Sequence, residues 1–216
     1  MFRDFHDRLA FPFAPGSFIN SNAETAGFGV GGSILVPVVP KVLEAYFSGM
    51  TGRGIGRYGA SQLPDVTFNA NGSLAPIRET MLLTGVIWHA IPGLDIYGYA
   101  GEEVQDRTFG FTPLGTNNSV GFGNPVFNNS GCGTEFSLVC SNNVHLVRQI
   151  AGGFWETIYK GPFGKLSGGL TYTFTQKYGF PGIGVAGNGI PGIPGTGGVP
   201  KRDENTFFTS LRYYPF

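Results

Sequence analysis

Residues Lys165 to Lys177 constrain this chain more than any other stretch. Leu166, Gly168, Leu170, Tyr172 and Phe174 fall on one phase of a two-residue repeat. Ser167, Gly169, Thr171, Thr173, Thr175 and Lys177 fall on the other. Alternation sustained this long predicts an extended strand, apolar on one face and hydroxyl-rich on the other. Strands of soluble domains usually run about 5–6 residues, while one that crosses a bilayer needs about 9–11. The competing reading is an antiparallel strand of a secreted sandwich.

Other segments repeat the pattern. Phe28, Val30, Gly32, Ile34, Val36 and Val38 share a phase opposite Gly27, Gly29, Gly31 and Ser33. Leu43, Ala45, Phe47 and Gly49 oppose Glu44, Tyr46 and Ser48. In 144–160, Val147, Ala151, Trp155 and Tyr159 oppose Arg148, Glu156 and Lys160. The segment 78–91 is apolar on both phases. The segment 94–108 begins with Tyr97 and Tyr99 and turns charged at Glu102 and Glu103. Residues 2–13 form a weaker strand, interrupted by Pro12.

The connections alternate in length. Those at 39–41, 92–93 and 161–164 are short, and those at 59–77, 109–143 and 180–203 are long. Bacterial outer-membrane barrels have short periplasmic turns and long extracellular loops. The expected fold is therefore all-β: an antiparallel up-and-down transmembrane β-barrel wall of seven or eight strands, forming one domain over 1–216. Placed in such a wall, Glu44, Arg148, Glu156, Ser167, Thr171, Thr173, Thr175 and Lys177 are expected to face the lumen.

Composition agrees. Charged residues are 13% of the chain and glycines number 36 of 216. A soluble surface so poor in charge is hard to build, whereas a lipid-facing band needs none. Formal net charge is zero, which gives no basis for a nucleic-acid partner. No segment has the ~20 apolar residues of a spanning helix, and the first residues do not read as a secretion signal.

No catalytic or metal-ligating set emerges, and no cofactor or enzymatic activity is expected. Gly27-Phe-Gly-Val-Gly-Gly32 has dinucleotide-fingerprint spacing but leads into a proline-bearing strand instead of a helix. The three histidines, His6, His89 and His145, lack ligand-spaced partners in the sequence. Cys132 and Cys140, close together in a loop, read as a disulfide.

The final run Phe207-Phe-Thr-Ser-Leu-Arg-Tyr-Tyr-Pro-Phe216 resembles the C-terminal signal by which outer-membrane barrels are recognised for insertion, with Tyr214 and Phe216 as its aromatic end. Leu211 and Tyr213 hold one phase and Ser210 and Arg212 the other, with Pro215 as a bulge between the phases and the end. Further phrases, among them Gly52-Arg-Gly-Ile-Gly-Arg-Tyr-Gly59, Tyr97-Gly-Tyr-Ala-Gly-Glu-Glu103, Gly121-Phe-Gly-Asn-Pro125 and Gly153-Phe-Trp155, resemble a family of uncharacterised porin-like outer-membrane proteins of Gram-negative bacteria. The resemblance covers most of 27–216 and corresponds to the C-terminal part of longer proteins. It implies an outer-membrane location, contact with lipid and the barrel-assembly machinery, and no enzyme.

Two functions follow as expectations. In one, the chain belongs to a porin-like barrel for passive diffusion of small hydrophilic solutes, completed by the remainder of a larger barrel or by an oligomer. In the other, a closed barrel of about eight strands is filled by its own side chains and does not conduct. Its long loops would then bind a surface partner.

Overall fold

The computed structural model describes residues 1–14, 17–111, 119–133, 135–184 and 198–215. The described strands are β1 (Phe2–Ala14), β2 (Ser17–Val39), β3 (Leu43–Arg53), β4 (Val66–Phe68), β5 (Leu74–Pro76), β6 (Arg78–Ile91), β7 (Leu94–Gln105), β8 (Thr108–Phe111), β9 (Ser119–Phe122), β10 (Val144–Gly161), β11 (Gly164–Gly179) and β12 (Lys201–Tyr214). Eight of them form one antiparallel sheet in the order β1-β2-β3-β6-β7-β10-β11-β12. Each long strand pairs with the next long strand in the chain, an up-and-down meander. β1 and β12 are its two edges and are not paired with each other. β4–β5 and β8–β9 are small hairpins.

The sheet has a turn end and a loop end. Turns at 40–42, 92–93 and 162–163 close the turn end. Gly93 at φ 94° and Gly164 at φ 109° supply left-handed backbone there that other residues rarely adopt. The long connections gather at the opposite end. Strand β2 is 23 residues long and begins well before the predicted start near residue 26. Its first half pairs with β1 and its second half with β3, the switch falling at Phe28. Pro12 interrupts β1 only as a shift in register, because an edge strand tolerates a missing N–H.

Antiparallel partners point the same way, so the ladders sort every side chain onto one of two faces. One face carries Phe28, Val30, Ile34, Phe47, Leu82, Val86, Trp88, Ile150, Phe154, Leu170, Tyr172, Phe207 and Leu211, all at least one-third exposed. The other carries Glu44, Tyr46, Ser48, Tyr97, Tyr99, Gln149, Ser167, Thr171, Thr173 and Thr175, which are mostly half-buried or buried.

The buried apolar residues lie elsewhere. Ile55, Leu63, Leu74, Ile77, Phe122 and Phe180 are all under 9% exposed and belong to the loop end. Ile77, Phe122 and Phe180 form one cluster. Among the described residues, no buried large hydrophobic side chain lies on the apolar face of the sheet.

Candidate functional site

Among the described residues, the polar face is where the chain collects the most hydrogen-bonding side chains on regular elements, so the site is built there. β11 supplies Ser167, Thr171, Thr173 and Thr175 at alternate positions, and the ladder sets Ala151 opposite Thr173 and Gln149 opposite Thr175. Gln149 Nε2 donates to Thr175 Oγ1 at 2.7 Å. The Tyr97 hydroxyl bonds Thr171 across β10, where Gly153 leaves room between them. Trp155 lies flat beneath the Arg212 guanidinium, whose Cζ is 4.0 Å from the ring centre. Toward the turn end, His89 Nδ1 donates to Asp95 Oδ1 at 2.6 Å and its Nε2 stands 3.8 Å from Glu44 Oε1. The face thus carries hydroxyls, amides and both signs of charge.

Residues 54–65 fold back over the loop end of this face. Gly54, at φ +70°, starts the reversal. Gly56 touches the Leu63 carbonyl so closely that a Cβ there would lie 2.2 Å from its oxygen. Ile55 is buried against Gly29 of β2. Asp65, 6% exposed, holds the segment from inside. It accepts 2.9 Å bonds from Arg3 Nη1 and from the Arg57 backbone N–H, and Arg57 Nε stands 3.4 Å away. Glu103 accepts from the Ser61 N–H at 3.2 Å. Gln105 Nε2 donates to the Pro64 carbonyl at 2.8 Å and to Glu79 Oε2 at 2.7 Å. A cavity of about 370 Å³ remains between Tyr58–Ser61 and the sheet, lined by Met50, Met81, Leu83 and Val147 as well as by Tyr99 and Gln149.

Above the sheet, the described parts of the remaining connections pack into a cap. Phe180 is its centre. It meets Phe122 edge-on at 5.5 Å, the His145 ring at 4.6 Å and the Arg107 guanidinium at 5.2 Å. Burial pushes the Arg107 guanidinium below its ordinary value. Asn142 Nδ2 donates to the Phe180 carbonyl and to Asn129 Oδ1, and Asn129 Nδ2 donates to the Phe180 carbonyl in turn. Cys132 and Cys140 lie at disulfide distance in this cap, with Cα atoms 4.8 Å apart.

The structure brings together Glu44, Ser167, Thr171, Thr173, Thr175 and Lys177, which share the polar face. It separates Arg148 and Glu156 from them. Arg148 pairs with Gln176 and Glu102, and Glu156 with Gly168 and Leu94, all on the apolar face. Val147, Ala151 and Trp155, expected on the apolar side, instead share the face of the threonines. In β10 each phase mixes apolar and polar residues, so side-chain polarity cannot fix its orientation. The ladder to β11 fixes it, since a one-residue slip would reverse every side chain. Arg148 ends up at the loop-end border of the apolar belt, its Nε donating to Gln176 at 2.6 Å and its Nη2 to the Tyr178 hydroxyl at 2.9 Å. Tyr214 closes β12, and Phe216 lies outside the described residues.

Sequence reasoning missed the folded segment 54–65 and its anchors Arg3, Asp65, Glu79 and Gln105. The Gly52–Gly59 glycines were the available signal, but apart from Asp65 the anchors come from three distant strands, β1, β6 and β7. No group of three or more His, Cys, Asp or Glu side chains suited to a metal ion occurs among the described residues. A trough of about 1040 Å³ crosses the sheet on the apolar side, where Gly32, Gly49 and Ala100 leave little side chain. It lies across the sheet from the polar face. The chain matches no family model, and neither the curated proteins nor the solved structures give a match.

Proposed function

We propose that the long strands are a stretch of outer-membrane barrel wall, and that the polar face lines a path for small hydrophilic solutes. One observation carries this reading: the more exposed face of the sheet is an apolar belt, while the half-covered face gathers most of the hydroxyls and amides, with Leu35, Leu83 and Phe208 among them. Water gives no reason for that inversion; lipid outside and a wet interior give one. The exposed belt runs from Leu166 to Phe174 on β11 and from Phe28 to Val38 on β2. At ~3.4 Å per residue these stretches measure about 27 and 34 Å, or about 21 and 26 Å if the strands tilt by ~40°. The expected apolar band is about 25 Å tall.

The position of the belt supports tilted strands. Its upper border falls from Phe28 on β2 to Phe207 on β12, and Phe207 is level with Val36 along the ladders. Its lower border moves the same way, from the row of Leu43 and Trp88 to that of Leu166 and Tyr213. A slab crossed by tilted strands needs this stagger.

The lining favours passage of water and small polar solutes without strong selectivity, since hydroxyls and both charge signs alternate along it. The segment 54–65 narrows the path at the loop end. We read Cys132 and Cys140 as a disulfide tying the cap. Planar-bilayer recording tests the function. Stepwise conductance from folded, full-length protein purified from its native membrane is the expected result. Silence from protein shown to be folded and inserted would favour the second reading, a surface-binding role for the packed cap.

A further inference from the structure

The two partners of β2 divide it between them. β1 covers its loop-end half, from Ser17 to Phe28, and β3 covers the other side of its turn-end half, from Phe28 to Val39. Below Gly29, the side of β2 facing away from β3 has no partner among the described residues. The Gly29 N–H donates to the Met1 carbonyl at 3.2 Å and the Gly29 carbonyl accepts from the Met1 nitrogen at 3.0 Å, so Gly29 points to that side. Strand alternation then aims the N–H and C=O of Gly31, Ser33 and Leu35 the same way. Pro37 adds a carbonyl but no N–H.

This edge runs through the apolar belt, where Val30 is 72% and Ile34 58% exposed. On the membrane reading above, on which this inference rests, an open row of backbone groups there is not tolerated. The sheet cannot close it alone. Without β1, which lies above the belt, seven of the eight strands remain. The outermost two, β2 and β12, both run from the loop end to the turn end. Joining them would make a parallel seam, and so would joining two copies head to tail. An antiparallel wall needs an odd number of further strands in the gap.

We propose that the open edge of β2 takes an upward-running β-strand supplied by polypeptide that leads into Met1. The β1–β2 ladder determines its register. A strand continuing past Met1 would set its last residue opposite Val30 and the one before it opposite Gly31. Residues opposite Val30, Gly32 and Ile34 face lipid and should be apolar. Those opposite Gly31 and Ser33 face the lining and should be small or polar. Pro37 can offer no N–H, so the ladder is complete only above it.

The test uses protein isolated from the membrane in which it naturally resides, analysed by intact mass, N-terminal sequencing and amide hydrogen exchange. The expected result is a chain extending before Met1, with the amides of Gly31, Ser33 and Leu35 exchanging within about tenfold of their β3-bonded neighbours Val30, Gly32 and Ile34. A native chain that starts at Met1 would overturn the proposal. So would alternation along β2, with the three edge amides exchanging about a hundredfold faster or more. Recovery in the aqueous fraction without detergent would instead overturn the membrane reading, and is scored separately from either edge result.

Discussion

The loop end and the belt are built on opposite rules. At the loop end Ile55, Ile77, Phe122 and Phe180 are withdrawn from solvent, polar anchors such as Asp65 and Asn129 are hydrogen-bonded internally, and the packing is that of a small water-soluble domain. In the belt the apolar side chains are exposed on one face and most hydroxyls lie on the other. On the proposed membrane reading one chain addresses two solvents, and the border between them follows side-chain chemistry along each strand. The hydrophobic effect organises the cap by burying apolar area in protein. On the proposed membrane reading, satisfaction of the backbone by the ladder takes that role in the belt, with lipid in place of a core.

Substitutions on the two sides should separate these rules. The largest effect is expected in the cap. Phe180→Ala removes the residue that Phe122, His145 and Arg107 pack against, at about 3–5 kcal/mol. Limited proteolysis should show the 106–143 region cleaved faster while the strand signal in circular dichroism stays. Loss of the whole sheet would mean that cap and belt are one cooperative unit.

Ile150→Arg probes the belt. Ile150 is 63% exposed, so in a water-soluble sheet the change would lie within about 0.5 kcal/mol of neutral. Facing lipid just inside the Arg148 border of the belt, it should cost more than that, on the order of 1–2 kcal/mol in denaturant titrations from vesicles. Glu156→Leu should act in the opposite sense. Glu156 is the one charged side chain on the apolar face between the Glu102–Arg148 border and the turn end, among the described residues. Replacing it should stabilise the vesicle-inserted protein by about 1 kcal/mol or less, since it lies toward the turn end. A loss of stability would place Glu156 in an aqueous lining after all.

The strands were legible because period-2 alternation is local. β11 reads on both faces from residues 166–177 alone, and the turns at 92–93 and 162–163 carry their own Pro and Gly signals. β10 was legible as a strand but not in phase, because Val147, Ala151 and Trp155 balance Ile150, Gly152 and Phe154. Only pairing with Thr171–Thr175 breaks the tie. The fold-back of 54–65 was not legible, since Glu79, Glu103 and Gln105 come together beneath it only after β6 and β7 are laid side by side. The division of β2 between two partners was hidden for the same reason: it depends on where β1 stops, not on β2 itself.

The two tryptophans offer the most direct test of the central claim. Trp88 lies on the apolar face and is 48% exposed, while Trp155 lies on the polar face beneath Arg212. Trp88→Phe and Trp155→Phe leave one reporter each. In vesicles, lipids brominated along their acyl chains should quench the fluorescence of Trp88 and spare Trp155, and aqueous acrylamide should favour Trp155. Equal quenching of both by acrylamide, with bromolipid reaching neither, would contradict a wall with lipid on one face and water on the other.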